Sequence, residues 1–285
     1  MERQETRIKT RAKINLTLDI VGKLPNGYHE LRMVMHSLNI YDEIFIKPNG
    51  TKECKVQTNL RYLPCDGRNI AVKSVRAFYE ASGIAPEGFD IRIQKVIPVA
   101  AGLAGGSSNA AGILRFLNQR YEQFFSQEQL QEVGKSIGAD VPYCLLGGTC
   151  LAEGIGEKLT PLPSLPRCYF VVAKPANRGI STKEIFSMVD VSKIQLHPDT
   201  KGMIRALENG DLRGVSKRLY NVMEQYTLQK SPEVESFKNA MLENGALGAL
   251  MSGSGNAVFG MFETMEKARK AANFLKKQTK QVFYG

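Results

Sequence analysis

Three glycines, three alanines and two serines are packed into the stretch Pro98 to Asn109, PVAAGLAGGSSN. Those residue types at that density suit the binding of phosphate. Glycine has no Cβ to hold a ligand off the backbone, and the stretch opens into a helical pattern whose N-terminal amides and dipole favour negative charge. The same composition also serves close packing of a helix on a strand, and the stretch alone does not choose between the two. It is neither a Walker A loop, because GxxxxGK[ST] is absent, nor the dinucleotide fingerprint GxGxxG. Protein-kinase HRD and DFG signatures are missing as well.

The elements that must position this loop lie on either side of it. Asp90 to Ile97 alternates apolar and polar residues, the period-2 mark of a strand, and delivers the chain into the loop. After the loop, Ala110, Ile113, Leu114 and Leu117 form a helical stripe. Nearer the N-terminus, Ile14, Leu16, Leu18 and Ile20 alternate with Asn15, Thr17 and Asp19, which predicts a half-buried strand with Lys13 and Asn15 on its polar face. Pro25-Asn26-Gly27 marks a turn, Leu31 to Ile40 predicts a returning strand, and Glu43 to Lys47 and Glu53 to Thr58 predict two shorter ones. Asn69 caps a predicted helix that Gly83 stops, and Ser126 with Gln129 makes a capping box for a helix ending at Gly138. Asp140-Val141-Pro142 begins a further element, with Asp140 where an N-cap would stand. A strand TCLAE near Thr149 and a turn at Gly154-Ile155-Gly156 follow.

Pro161, Pro163 and Pro166 predict a boundary between domains 1–160 and 161–285. Beyond it come a strand at Cys168 to Lys174 and a helix with Ile185, Phe186 and Val189, opened by a Ser181–Glu184 capping box. Two short helical patterns lie between Asp199 and Tyr220, and Ser231-Pro232 starts a clearer helix. Strands Ala246 to Met251 and Ala257 to Phe262 flank Ser252-Gly253-Ser254-Gly255, and a charged helix and a last strand, Gln281 to Tyr284, end the pattern.

The 285 residues are 43% hydrophobic, enough for a real core, with no run of 18 apolar residues and no signal-peptide pattern behind the charged N-terminus. A soluble, cytoplasmic protein without a membrane partner is expected. Five irregularly spaced cysteines form neither zinc pairs nor an even disulfide set, as befits free thiols. The net charge of +10 fits nucleic acid or a small, highly anionic substrate. Only Lys267 to Lys280 is densely basic, and its alanines and Leu275 at helical spacing make it a solvated helix face, so no nucleic-acid partner is expected.

Five segments, AKINL (Ala12 to Leu16), NGYHE (Asn26 to Glu30), PVAAGLAGGSSNAA (Pro98 to Ala111), GADVP (Gly138 to Pro142) and LMSGSGNAVFG (Leu250 to Gly260), together resemble the GHMP kinases. That superfamily is named for galactokinase, homoserine, mevalonate and phosphomevalonate kinases, and the resemblance runs the length of the chain in the family's order. Gly27-Tyr28-His29 and the GLAGGSS form of the loop resemble the branch acting on 4-diphosphocytidyl-2-C-methyl-D-erythritol. The resemblance implies an α+β protein of two domains, the first like domain 2 of ribosomal protein S5 and the second ferredoxin-like, with the active site in the cleft between them. It implies transfer of the γ-phosphate of ATP, with Mg²⁺, to the 2-hydroxyl of that small molecule, on the non-mevalonate route to isoprenoid precursors. Oligomeric state is not implied.

Residue by residue, the resemblance assigns ATP phosphates to Pro98, Val99, Ala100, Ala101, Gly102, Leu103, Ala104, Gly105, Gly106, Ser107 and Ser108. Ser107 and Ser108 would offer hydroxyls to phosphate or to Mg²⁺, or one of them caps the helix. Many relatives have glycine where this chain has Ala104. Asp140 matches the catalytic aspartate and Lys13 the lysine that stabilises charge on the phosphoryl group; the plain alternatives are a helix cap and a solvated strand lysine. Because phosphoryl transfer has a loose transition state, Asp140 would orient the hydroxyl and accept its proton late. Asn15, Tyr28, His29 and Phe186 would bind the acceptor, the last three around the cytosine. Phe186 beside Ile185 equally suits a helix core, Met35 stands where some relatives carry a second aromatic, and Ser252 to Gly255 either lines the cleft or simply connects a hairpin. Rival functions are another GHMP kinase, for homoserine or a mevalonate derivative, a basic nucleic-acid binder with an S5-like domain, and a member that has lost its activity.

Overall fold

The computed structural model describes residues 4–176 and 179–285. In chain order its elements are strands β1 (Thr6–Lys23), β2 (His29–Pro48) and β3 (Lys55–Thr58), helix α1 (Ile70–Ser82), β4 (Phe89–Gln94), α2 (Gly105–Arg120), α3 (Gln127–Ile137), α4 (Val141–Leu146), β5 (Thr149–Gly154) and β6 (Lys158–Pro161). There follow β7 (Tyr169–Lys174), α5 (Thr182–Ser187), α6 (Thr200–Glu208), α7 (Leu212–Lys217), β8 (Tyr220–Asn221), α8 (Glu224–Thr227), α9 (Glu233–Glu243), β9 (Gly248–Met251), β10 (Val258–Phe262), α10 (Met265–Leu275) and β11 (Gln281–Tyr284). The described residues form two compact units that exchange chain several times. The first holds the chain up to Ala12, Leu38–Ile97 and Ala104–Gly147, and the second holds Lys13–Ser37, Pro98–Leu103 and the chain from Gly148 onward.

In the first unit β2 pairs antiparallel with β4, Glu43 opposite Gln94 and Pro48 opposite Phe89, and β3 adds to β4 in parallel. Period 2 turns Ile44, Ile46, Ile91 and Ile93 to one side, where they meet Phe78 of α1, Leu114 and Leu117 of α2, and Val141 of α4 in one buried cluster. Asn69 caps α1 as expected, and Gly83 closes it with a left-handed φ of 67°. The Ser126–Gln129 capping box at the start of α3 is formed in both directions.

In the second unit β7, β9, β10 and β11 make an antiparallel sheet in the order β11-β7-β10-β9. Helix α9 packs on β9 and β10, and α10 on β7 and β11, each by the apolar stripe legible in the sequence. The first half of β2 pairs with β5, β5 with β6, and β1 runs parallel to β8 at Thr17–Tyr220.

Several elements differ from their expected form. The two strands read at Leu31 to Ile40 and Glu43 to Lys47 are one strand, because Asp42, which interrupts the apolar pattern, is wholly buried rather than turned to water. Strand β1 is longer than its alternating core, and Ala12 to Ile20 are buried on both faces. Helix α5 starts after Ser181, whose side chain makes no capping bond, and it ends before Val189. The two-residue β8 and four-residue β6 are too short for periodicity to reveal.

His36 on β2 illustrates the pH consequence of this burial. Its Nδ1 lies 2.9 Å from Thr149 Oγ1 and its ring centroid 5.9 Å from that of Phe170. Burial lowers its pKa from 6.5 to about 4, so the folded protein keeps it neutral where the unfolded chain is already protonated. Its contribution to stability is therefore complete above pH ~6.5 and lost progressively as pH falls to ~4, by up to about 3 kcal/mol. Urea unfolding of the wild type and of His36→Gln across that window checks this, with the variant expected to lose less.

Candidate active site

The loop after β4 is built on alternating handedness: Ala100, Gly102 and Ala104 have φ values of 50°, 76° and 53°. Such a backbone turns successive amides toward a common side, the geometry of an anion nest. In the second unit this strained segment is held by the β9–β10 connection. Ser252 Oγ donates to the Gly102 carbonyl at 2.9 Å, and the Ala257 amide donates to the Ala101 carbonyl at 3.3 Å. A Cβ on Gly102 would lie 1.9 Å from the Ser252 carbonyl oxygen, and one on Gly255 would lie 2.2 Å from the Gly102 nitrogen. Ser252 to Gly255 is thus both a hairpin connection and the bed on which the loop rests. From β1, the Lys13 amide donates to the Leu103 carbonyl at 3.1 Å.

In the first unit Ala104 is the N-cap of α2 and offers no side-chain cap, so neither serine caps the helix. The Ser108 amide already bonds to the Ala104 carbonyl at 2.8 Å, which leaves the amides of Gly105, Gly106 and Ser107 as the first-turn donors. The glycines divide by purpose. A Cβ on Gly105 would meet Ile97 at 2.9 Å and one on Gly112 would meet Thr10 at 2.4 Å, so these serve packing. Gly106 is exposed, and the nearest atom to a Cβ there is Ile70 Cδ1 at 3.8 Å, so packing does not require its bareness. The serines divide too. Ser108 is buried and its hydroxyl donates to the Arg11 carbonyl at 2.6 Å, a tie between helix and strand. Ser107 is half-buried, its Oγ 3.9 Å from where a Cβ on Gly138 would be, close to the corner that carries Asp140. Ala104→Gly should relieve a left-handed alanine and raise stability by up to about 1 kcal/mol, which chemical denaturation checks.

Asp140 stands at the N-cap of α4, with φ −83° and ψ −8°, yet its side chain makes no capping hydrogen bond. Lys13, in the second unit, is only 4% exposed, and its Nζ donates to Asn15 Oδ1 at 2.8 Å. The polar face of β1 is therefore enclosed. Asn15 Nδ2 reaches Met33 Sδ at 3.3 Å, Thr17 Oγ1 accepts the Val34 amide at 3.0 Å, and Asp19 Oδ1 lies 2.7 Å from His197 Nδ1. Burying a lysine is costly, which sets Lys13 apart from the solvated strand lysine that alternation alone suggests.

His29 and Phe186, far apart in sequence, meet with ring centroids 5.4 Å apart and an interplanar angle of 38°. Phe186 is half-buried while its neighbour Ile185 is fully buried, so it is Ile185 that anchors α5. Burial, and then the charge of Lys23, lower the pKa of His29 and favour the neutral ring, which both donates and accepts hydrogen bonds. Tyr28 is 62% exposed, its amide bonded to Asn26 Oδ1 at 3.1 Å in the turn. Met35 is wholly buried and has no face to offer a ring, so it does not replace an aromatic there. Thr182 at the start of α5 and Ser254 of the second glycine turn share a hydroxyl hydrogen bond of 2.9 Å.

Among the described residues no group of three or more His, Cys, Asp or Glu side chains is arranged to hold a metal ion. No helix of the described residues is long and apolar enough to cross a membrane. Sequence reading passed over Asp42, Lys95 and Asn109, which are buried together under the start of α2. The available signal was a charge of each sign at inward-facing positions of strands that pair.

Two family models match the chain: the GHMP kinases N terminal domain over residues 69–148 and the GHMP kinases C terminal over residues 203–281. A 4-diphosphocytidyl-2-C-methyl-D-erythritol kinase of Lachnoclostridium phytofermentans is 46% identical, covering 93% of this chain and 90% of its own. One from Clostridium kluyveri is also 46% identical, covering 97% and 98%. A crystal structure of 4-(cytidine 5'-diphospho)-2C-methyl-D-erythritol kinase superposes with a TM-score of 0.82 at 31% identity, covering 99% of this chain and 98% of that one. A homoserine kinase from Cytophaga hutchinsonii, at 19% identity and a TM-score of 0.78 over 100% and 95% of the two chains, shares the fold.

Proposed function

The chain belongs to the GHMP kinases, ATP-dependent small-molecule kinases of two domains with mixed α and β content, and we propose that it transfers the γ-phosphate of ATP to the 2-hydroxyl of 4-diphosphocytidyl-2-C-methyl-D-erythritol. That places it in the synthesis of isoprenoid precursors by the non-mevalonate route. The observation that carries the acceptor assignment is the His29–Phe186 ring contact, for which a kinase of homoserine or mevalonate has no use. Near-full-length relatives bearing the name of that kinase support it.

In this mechanism the amides of Val99 to Ser107, in the loop that Pro98 opens, and the dipole of α2 hold the phosphates of ATP. Ser107 donates its hydroxyl to a phosphate oxygen, while Ser108 keeps the loop on β1. Asn15 orients Lys13, whose ammonium stabilises charge on the phosphoryl group in flight; Asp140 holds the acceptor hydroxyl in line and takes its proton late. His29 and Phe186 hold the pyrimidine, with Tyr28 closing over it. Mg²⁺ suits this donor set as a guest of the nucleotide. Held mainly by the nucleotide's phosphates, with the Ser107 hydroxyl as a protein donor beside them, it would supply neutralisation of the phosphate charge.

We extend the proposal to the finer architecture, with domains 1–160 and 161–285 meeting at the proline cluster and the active site in the cleft between them. The succession β7, helices, β9, β10, α10, β11 in the order β11-β7-β10-β9 supports a ferredoxin-like second domain. An S5-like first domain completes the architecture, and the setting is cytoplasmic. Nucleic acid is not a partner in this scheme. Coupled ADP release with ATP, Mg²⁺ and the diphosphocytidyl alcohol, set against mevalonate and homoserine, tests the assignment. Turnover confined to the first supports it, and turnover with either of the others instead overturns the acceptor.

A further inference from the structure

We infer that Asp42 is a positioning residue for nucleotide binding: one buried carboxylate that fixes the strand entering the phosphate loop and the helix leaving it, without touching the nucleotide. This rests on the assignment of that loop to ATP. Asp42 is 0% exposed, and both of its oxygens are fully used. Oδ1 accepts the amides of Val96 and Ile97, at 2.7 and 2.8 Å, the last two residues before Pro98. Oδ2 accepts Asn109 Nδ2 at 2.9 Å, from the opening turns of α2, and is paired with the Lys95 ammonium. Asn109 closes the network, taking Lys95 Nζ on its Oδ1 at 3.1 Å and donating to Thr10 Oγ1 at 2.8 Å. Lys95 in turn lies directly under the helix start, its Nζ 3.1 Å from where a Cβ on Gly105 would be.

A buried ion pair is a poor device for stability alone, because apolar residues of similar shape fill such a site without the desolvation penalty. What it supplies is direction. Every acceptor and donor here is aimed at a named atom on one of four segments, β1, β2, the end of the β4 strand run, or α2. The amides that the nucleotide would use, those of Gly105 to Ser107 among them, stand along the chain between the two anchor points. Letting those anchors slide by an ångström degrades a phosphate cradle without unfolding the protein, and such a shift costs binding or rate by up to about 10²-fold.

The test compares the wild type with Asp42→Asn, Lys95→Met and the double variant, by calorimetric titration with a non-hydrolysable ATP analogue, steady-state kinetics and urea unfolding. Asparagine keeps the acceptor for Val96 and Ile97 but sets an amide NH₂ against the Lys95 and Asn109 donors. Asp42→Asn is expected to weaken the ATP analogue by at least about tenfold while the KM for the acceptor stays within about twofold. In the double variant, which carries no unpaired buried ammonium, the urea midpoint is expected to recover and the nucleotide affinity is not. Should Asp42→Asn fold poorly, the double variant still gives the answer. Nucleotide affinity within about twofold of wild type in the double variant reduces the network to a structural element and overturns the inference. Failure of the wild type itself to bind the analogue overturns the assignment of the loop, and this inference with it.

Discussion

Asp140→Asn is expected to lower turnover by about 10²- to 10⁴-fold while ATP binding is largely kept, and Lys13→Ala to do the same. The expectation for Asp140 follows from a side chain at a helix N-cap that does not cap. Capping would explain the residue completely, and Ser126 and Asn69 show that this protein builds caps where it needs them. A capping aspartate, if replaced, costs about 1 kcal/mol of stability and leaves kcat alone. Asparagine is nearly isosteric and is itself a good cap, so Asp140→Asn removes charge and basicity and little else. Loss of kcat with stability intact is thus a signature that only the catalytic role gives.

Lys13 carries the complementary expectation. Its Nζ is held by Asn15 in an enclosed position, so its charge acts in surroundings where it is less screened than at a surface. Alanine deletes the charge and the stem together, and Lys13→Met, which keeps most of the volume, separates the two effects. Both variants should lose kcat with the KM for ATP changed little. Wild-type turnover in Asp140→Asn or in Lys13→Ala sinks the catalytic role proposed for that residue.

What the sequence made legible and what it did not divide along a physical line. Local signals were readable: the Ser126–Gln129 box, the Asn69 cap, the Gly83 stop and the strand that feeds the loop all stand where residue types put them. The glycine-rich loop was visible too, but not that its glycines have different duties, since Gly102 and Gly105 pack while Gly106 stays open. That distinction depends on segments brought in from elsewhere in the chain, such as Ser252 against Gly102. Asp42 hid its role by breaking a pattern. In a strand it reads as an interruption, although the register pairing Glu43 with Gln94 puts it opposite Lys95, which is likewise a charge in an apolar row. Phe186 was ambiguous because one helical turn presents both Ile185 and Phe186, and only the approach of His29 tells which of them is core.

Gly102→Ala and Gly106→Ala, two identical changes four residues apart, should have opposite effects on stability and the same effect on ATP. At Gly102 the backbone has φ +76°, and the new methyl would lie 1.9 Å from the Ser252 carbonyl oxygen, a backbone atom that no rotamer change can move. The loop must leave its bed on Ser252 to Gly255, giving up the Ser252 Oγ bond to the Gly102 carbonyl. We expect a loss of about 3 kcal/mol or more in stability, together with a sharp rise in the KM for ATP. Gly255→Ala should behave likewise, because its methyl would strike the same backbone from the other side, 2.2 Å from the Gly102 nitrogen. At Gly106 the residue is helical and its surroundings are open. Alanine there should stabilise the helix by up to about 1 kcal/mol. If phosphate binds the first-turn amides as proposed, a methyl on one of those three residues crowds it, so ATP affinity should fall. Denaturation midpoints and ATP titrations on the three variants separate the glycines that hold the loop from the one that leaves room for the ligand. Unchanged ATP affinity in Gly106→Ala would mean that the phosphates do not come to this turn.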